Sequence, residues 1–245
     1  DAEVYRIEKE GMEAADTVIA VSQFTKNIIV SKYGIPEGKV QVVHNGIDDE
    51  TVPRPGQRRL QLQSLKDGGY SLVLFLGRIT MQKGPDHLLR AAQKVVQHNP
   101  RVVFLMCGSG DMERRMMELS AELGISQNVF FSGFLRGPDQ FEAYKLADLF
   151  VMPSISEPFG ITVLEAMKLR TPVIVSKQSG VSEVVAHALK VDFWDTEEFA
   201  NKILCALAHP ALRHTLSEFG AVEADQLTWA KAATKINHIV HQFAA

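Results

Sequence analysis

From Ser71 to Phe193 the chain alternates apolar runs of strand length with amphipathic runs of helix length, and this rhythm restricts the fold more than any other feature. Ser71–Gly77 (SLVLFLG), Arg101–Gly108 (RVVFLMCG), Asn128–Phe134, Asp148–Pro153 (DLFVMP), Pro172–Ser176 and Leu189–Phe193 read as strands. Asp86–His98, Met112–Leu123, Asp139–Ala147, Ile161–Leu169 and Val181–His187 read as the helices between them. In the first of these Leu88, Leu89, Ala92, Val95 and Val96 fall at helical spacing. Strands that are apolar throughout are covered on both faces, and strict strand–helix alternation then predicts an α/β fold with a doubly wound parallel sheet. Ligands of such sheets bind beyond the carboxyl ends of the strands, so function is sought in the loops that leave them.

Upstream, Thr17–Ser22 and Lys39–Asn45 read as two further strands around a helix over Gln23–Lys32. The first residues read as a helix already under way with no initiator Met, which suggests a piece of a longer protein. Thr51–Gly69 carries Pro53, Pro55, Gly56, Gly68 and Gly69 and reads as a linker. The expected organisation is a unit over 1–50, this linker over 51–69, an α/β domain over 70–227 and a terminal helix over 228–245. That helix follows two others, Thr196–Ala208 and Leu212–Glu218.

The formal charge of −3 offers no basic footprint for nucleic acid. No apolar run reaches membrane-spanning length and no signal peptide opens the chain. Cys107 and Cys205 sit in apolar surroundings without metal-ligand spacing, so they read as buried thiols of a reducing, cytoplasmic compartment. The histidines have no acid or cysteine spaced for a metal, and no Ser-His-Asp arrangement, Gly-x-Ser-x-Gly or Walker loop is present.

Four loops carry chemistry. Gly77-Arg78-Ile79-Thr80-Met81-Gln82-Lys83-Gly84 follows the first strand of the domain. Arg78 offers a fork and Lys83 a mobile point charge that can converge on one diphosphate; as plain solvated loop charges they would look the same. Gly108-Ser109-Gly110 serves equally as a ligand contact or a tight turn, and lacks the third glycine of a dinucleotide fingerprint. Ser132-Gly133-Phe134-Leu135 exposes backbone that suits a base edge, though composition alone favours a plain strand exit. Glu157 and Glu165, eight positions apart, frame Pro158-Phe159-Gly160 and the start of a helix. A helix N-terminus favours anions, so two acids on its flanks suit a ligand with hydroxyls at both ends and a phosphate between, as in a nucleotide sugar. A solvated loop acid and an exposed helix acid are the alternative.

Together Phe75-Leu76-Gly77-Arg78, Lys83-Gly84, Gly108-Ser109-Gly110, Gly133-Phe134-Leu135 and Ser156-Glu157-Pro158-Phe159-Gly160 through Glu165-Ala166-Met167 resemble the retaining glycosyltransferases of family 4 (group 1), which have the GT-B fold. Val21-Ser22-Gln23-Phe24-Thr25, Asn45-Gly46-Ile47-Asp48 and Thr228-Trp229 extend the resemblance over nearly the whole chain. It implies the Rossmann-like, donor-binding C-terminal domain of a hexosyl-transferring enzyme, with 1–50 a remnant of the N-terminal, acceptor-binding domain and the final helix crossing back toward it. Arg78 and Lys83 would bind the donor diphosphate and stabilise its leaving charge, with Glu157 beside the donor sugar. Phe159 and Gly160 would offer main-chain contacts to sugar hydroxyls, Ile161 and Thr162 N–H groups to phosphate. Glu165 would hold the ribose, and Phe134 and Leu135 would flank the base.

The resemblance implies no cofactor and no metal, a UDP-linked donor by family frequency with ADP and GDP open, and little turnover without the rest of the cleft. Sugar-nucleotide epimerisation, phosphorolysis and non-catalytic nucleotide sensing are the rival activities. Ser179-Gly180-Val181-Ser182-Glu183 departs from the family by keeping one glycine where two and a proline are frequent.

Overall fold

A computed structural model describes residues 2–48 and 59–242. The first segment contains helix α1 (Ala2–Ala14), strand β1 (Val18–Ala20), helix α2 (Gln23–Ile28) with a π-helical turn after it (Ile29–Tyr33), and strand β2 (Val40–Val42). β1 and β2 pair in parallel, and Ala20, Ile29, Ile35 and Val40 form their own small core.

The larger unit contains α3 (Arg59–Asp67), β3 (Ser71–Leu76), α4 (Pro85–His98), β4 (Val102–Cys107), α5 (Glu113–Glu122), β5 (Val129–Gly133), α6 (Pro138–Leu146) and β6 (Leu149–Met152). It continues through α7 (Ile161–Lys168), β7 (Val173–Ser176), β8 (Leu189–Val191), α8 (Thr196–Ala208), α9 (Pro210–Asp225) and α10 (Trp229–His241). The strands form one parallel sheet in the order β5-β4-β3-β6-β7-β8. The direction of winding reverses between β3 and β6, so the crevice that such a sheet offers a ligand opens between the loops leaving those two strands.

Both faces are covered, as the continuous apolar runs require. Successive strand residues point to opposite sides: Leu72 and Leu74 join the core under α6 and α7, while Val73 and Phe75 join the core under α4, α5 and α8. Helix spacing follows the same logic on α4, where Leu88, Leu89, Ala92 and Val95 are all buried.

Four expectations are corrected. The described end of the supposed linker, residues 59–67, is helix α3. Leu62 is buried and Leu65 packs against the core, Lys66 is ion-paired to Asp148, and the same Asp148 oxygen accepts the Leu72 N–H at 2.8 Å. The flanking prolines and glycines hid a short helix whose apolar residues are few; residues 49–58 lie outside the described residues. The helix read over Val181–His187 is a 3₁₀ turn over Gly180–Glu183. Cys107 is buried but Cys205 is exposed, because α8 buries Phe199, Ala200, Ile203 and Ala206 and turns position 205 outward. Pro210–Asp225 also forms one helix longer than the segment read over Leu212–Glu218.

Candidate functional site

The loops that leave β3 and β6 meet at the switch point and are tied together by Gln82. Its main-chain oxygen accepts the Ile155 N–H at 2.9 Å, its side-chain amide donates to the Ser156 carbonyl at 2.9 Å, and Arg78 Nη2 donates to its Oε1 at 3.3 Å. Gly84 is left-handed (φ 62°), and a Cβ there would stand 2.3 Å from the Pro153 carbonyl oxygen, so glycine is what lets the loops approach. This approach brings Lys83 Nζ onto Glu157 Oε2 in a direct ion pair, with Glu157 buried and Lys83 largely so. Thr80 Oγ1 and Ser154 Oγ, one on each loop, are buried without a protein partner, leaving unused hydrogen-bonding capacity on both sides of the switch point.

Glu157 is held by its backbone. Its N–H donates to the Gln178 carbonyl and its carbonyl accepts the Gly180 N–H, both at 3.0 Å, a parallel bridge to the 179–180 turn. Val181 N–H then donates to the Phe159 carbonyl at 2.7 Å, and the Phe159 ring enters the core. Gly160 (φ 108°) turns the chain into α7 without contributing a side-chain cap. The N–H groups of the first turn, Ile161 and Thr162 among them, have no acceptor one turn back within the helix. The Lys83–Glu157 pair thus stands at the switch point, three residues before the turn into α7, and exposed Arg78 is joined to the same loop through Gln82.

Glu165 lies one turn further along α7 and belongs to a different cavity, of about 360 Å³, lined by Gln140, Tyr144, Ile161, Lys168 and Trp229 among others. Arg78 and Lys83 are not among its lining residues, so a single cavity around Arg78, Lys83 and Glu165 is not what the structure shows. Ile161, on the first turn of α7, connects the two regions. Tyr144 Oη donates to Glu165 Oε2 at 2.8 Å and Gln140 Nε2 at 3.3 Å. Burial, and then the Glu165 charge, push the Tyr144 phenol well above its ordinary pKa, so it remains a donor at all working pH values. Tyr144→Phe should weaken this arrangement by about 1.5–3 kcal/mol, the worth of a hydrogen bond to a charged group. Chemical denaturation reads the loss, and an unchanged midpoint would show that Glu165 is held by other means.

Leu135 is buried and lines a further, apolar cavity beside α3, whereas Phe134 is 62 % exposed with the Arg136 guanidinium 4.9 Å from its ring centre. Both leave β5, separated from the switch point by β4 and β3. Of the residues singled out in the sequence, the structure pairs Lys83 with Glu157 directly and joins Arg78 to the same loop through Gln82. Sequence reasoning missed Gln82, whose position between the two cations was the available signal, and the direct pairing of Lys83 with Glu157. Among the described residues no three His, Cys, Asp or Glu side chains converge to hold a metal ion, and no helix is long and apolar enough to cross a membrane.

A parallel sheet in this order, with helices on both faces, defines a Rossmann-like α/β fold, and it matches glycosyltransferase structures of the GT-B fold. HepE of Anabaena, crystallised in complex with UDP and glucose, superposes with a TM-score of 0.85 at 22 % identity over 97 % of this chain and 66 % of its own. The chain matches glycosyl transferases group 1 over residues 57–222 and Glycosyltransferase Family 4 over 2–51, and it belongs to the group 1 glycosyltransferase family. It is 38 % identical over 176 residues to an uncharacterized glycosyltransferase of Methanocaldococcus jannaschii, covering 69 % of this chain and 44 % of that protein. It is 30 % identical to the D-inositol 3-phosphate glycosyltransferase of Saccharomonospora viridis, covering 96 % and 57 %. The chain thus spans about half the length of the curated relatives it matches.

Proposed function

We propose that this chain is the donor-binding half of a glycosyltransferase that moves a hexosyl group from a nucleoside-diphosphate sugar to an acceptor with retention of configuration. The observation that carries this reading is the Lys83–Glu157 pair at the switch point, beside exposed Arg78 and the first turn of α7. A diphosphate there meets two cations and a helix N-terminus, which together oppose the charge that grows as the sugar departs. Lys83 exchanges its carboxylate partner for phosphate oxygen, and Glu157 is freed toward the sugar. Glu165, backed by Tyr144, accepts from ribose hydroxyls, and the base extends toward Phe134 and Leu135. The phosphate charge is matched by side chains and helix dipole, without a metal. Since no nucleophile is assigned, retention proceeds by front-face displacement in which a leaving phosphate oxygen takes the acceptor proton.

UDP is the first donor nucleotide to test, by analogy with the UDP that HepE binds. The acceptor is bound by the part of the relatives' length that lies outside this chain, so the complete reaction belongs to the longer protein. Melting curves with UDP, ADP, GDP and their glucose conjugates should single out one nucleotide. A ligand that binds only the native state stabilises it by about 2.7 kcal/mol at a hundredfold excess over Kd. Flat curves with all three nucleotides would sink the reading, and the anomeric configuration of the product, read by NMR, decides the stereochemistry.

A further inference from the structure

Glu183 stands apart from every role assigned so far, yet its carboxylate gathers three donors from distant parts of the chain. Oε1 accepts the Gln23 N–H at 2.7 Å and lies 2.8 Å from His44 Nε2; Oε2 accepts the Phe24 N–H at 3.2 Å. Gln23 and Phe24 open α2, so an acid from the 3₁₀ turn after β7 caps the first turn of a helix 160 residues earlier in the chain. Such a charge-assisted contact to a helix N-terminus is directional as well as favourable.

The capped helix grips the turn that carries Glu157. Ser22, the residue before α2, directs its Oγ onto the Pro158 carbonyl at 2.6 Å, and Thr25 Oγ1 lies 3.2 Å from the same oxygen. On the other side Gly180 donates to the Glu157 carbonyl. A Cβ on Gly180 would stand 2.3 Å from the Pro158 oxygen and 2.4 Å from Ser22 Cβ, so the three segments are in direct contact. His44, the third partner of Glu183, also faces the Phe159 ring, with centroids 6.0 Å apart. Residues 157–159 are therefore clamped between the turn that bears Glu183 and the helix that Glu183 caps.

We infer that Glu183 is a positioning residue for Glu157: by seating α2 through Gln23 and Phe24 it fixes Ser22 on Pro158 and so aims the Glu157 carboxylate. This rests on the functional reading above for its consequence in catalysis; the exchange measurement tests the positioning without a substrate.

The experiment uses the full-length protein with Glu183→Ala, Glu183→Gln, Ser22→Ala and the Glu183→Ala/Ser22→Ala pair. Hydrogen exchange should accelerate in Glu183→Ala at Gln23 and Phe24 and also at Glu157, Phe159 and Gly160, with Glu183→Gln, which keeps one acceptor oxygen, in between. Release of UDP from UDP-glucose, or of the nucleotide chosen by the melting curves from its glucose conjugate, should show kcat lower by about tenfold to a hundredfold. That is the scale on which a misplacement of about 1 Å acts. KM for the donor should change little. Because Glu183 and Ser22 act in one chain of contacts, their effects on kcat should be far from additive. Unaltered exchange at 157–160, kcat that stays at the wild-type value, or additive losses would each overturn the inference. A wild-type protein that releases no nucleotide would fail the functional reading instead, and the exchange data would still decide the positioning.

Discussion

On the proposed donor site, replacing Lys83 by alanine in the full-length protein should lower turnover at saturating donor by about 10²–10³-fold, the cost of removing one preorganised group from developing negative charge. The structure adds a second expected effect. Lys83 is the ion-pair partner of Glu157, which is only 7 % exposed, so the substitution leaves a buried carboxylate uncompensated. Breaking such a pair from one side costs about 3–5 kcal/mol. The two effects separate in the double variant Lys83→Ala/Glu157→Gln. A neutral amide no longer needs a cation, so stability returns toward wild type while turnover does not. Steady-state rates and denaturation curves on the same three proteins decide the matter. A double variant that regains turnover along with stability would reduce Lys83 to a structural partner and remove the main support for a diphosphate at the switch point.

Gly108→Ala should be nearly as damaging, through the fold. Gly108 has φ 142°, and a Cβ there would stand 1.8 Å from the Gly77 carbonyl oxygen. The backbones of β3 and β4 end side by side, with Gly77 N–H donating to the Cys107 carbonyl at 3.0 Å and Gly108 N–H to the Gly133 carbonyl at 2.9 Å. Neither strand can yield without breaking these bonds. Backbone strain and overpacking each cost about 1–3 kcal/mol, so the sum consumes much of an ordinary domain's stability. For a chain of this size the melting temperature should fall by about 10 °C. Gly124→Ala is the control: its φ is 71°, but nothing lies within 4 Å of the added atom, so it suffers backbone strain alone. Equal losses in the two variants would show that crowding against Gly77 is not the cause.

Much of the architecture was legible because it is written locally. Continuous apolar runs of five or six residues can only be strands covered on both sides, and the helices between them carry their buried face at a period that a short window reveals. Arg78, Lys83, Glu157 and the start of α7 could be proposed for the same reason, since each sits in a loop that leaves a strand. Helix α3 escaped because prolines and glycines around it outweighed Leu62 and Leu65, and its value lies in a distant partner, Asp148. Cys205 was misread because apolar neighbours in sequence do not say which side of α8 faces the core.

The order of the strands and the partners across the crevice come from another level. Nothing near Lys83 in the chain marks Glu157, 74 residues away, as its counterion, and nothing near Gln23 marks Glu183. Those pairings arise when β6 docks beside β3 instead of beyond β5, and when helix α2 is set down against the turn after β7. A residue's periodicity depends on neighbours within one or two turns, so the chain states it directly. Whether a carboxylate meets an ammonium depends on which strands become adjacent, and that is settled by the packing of the whole domain.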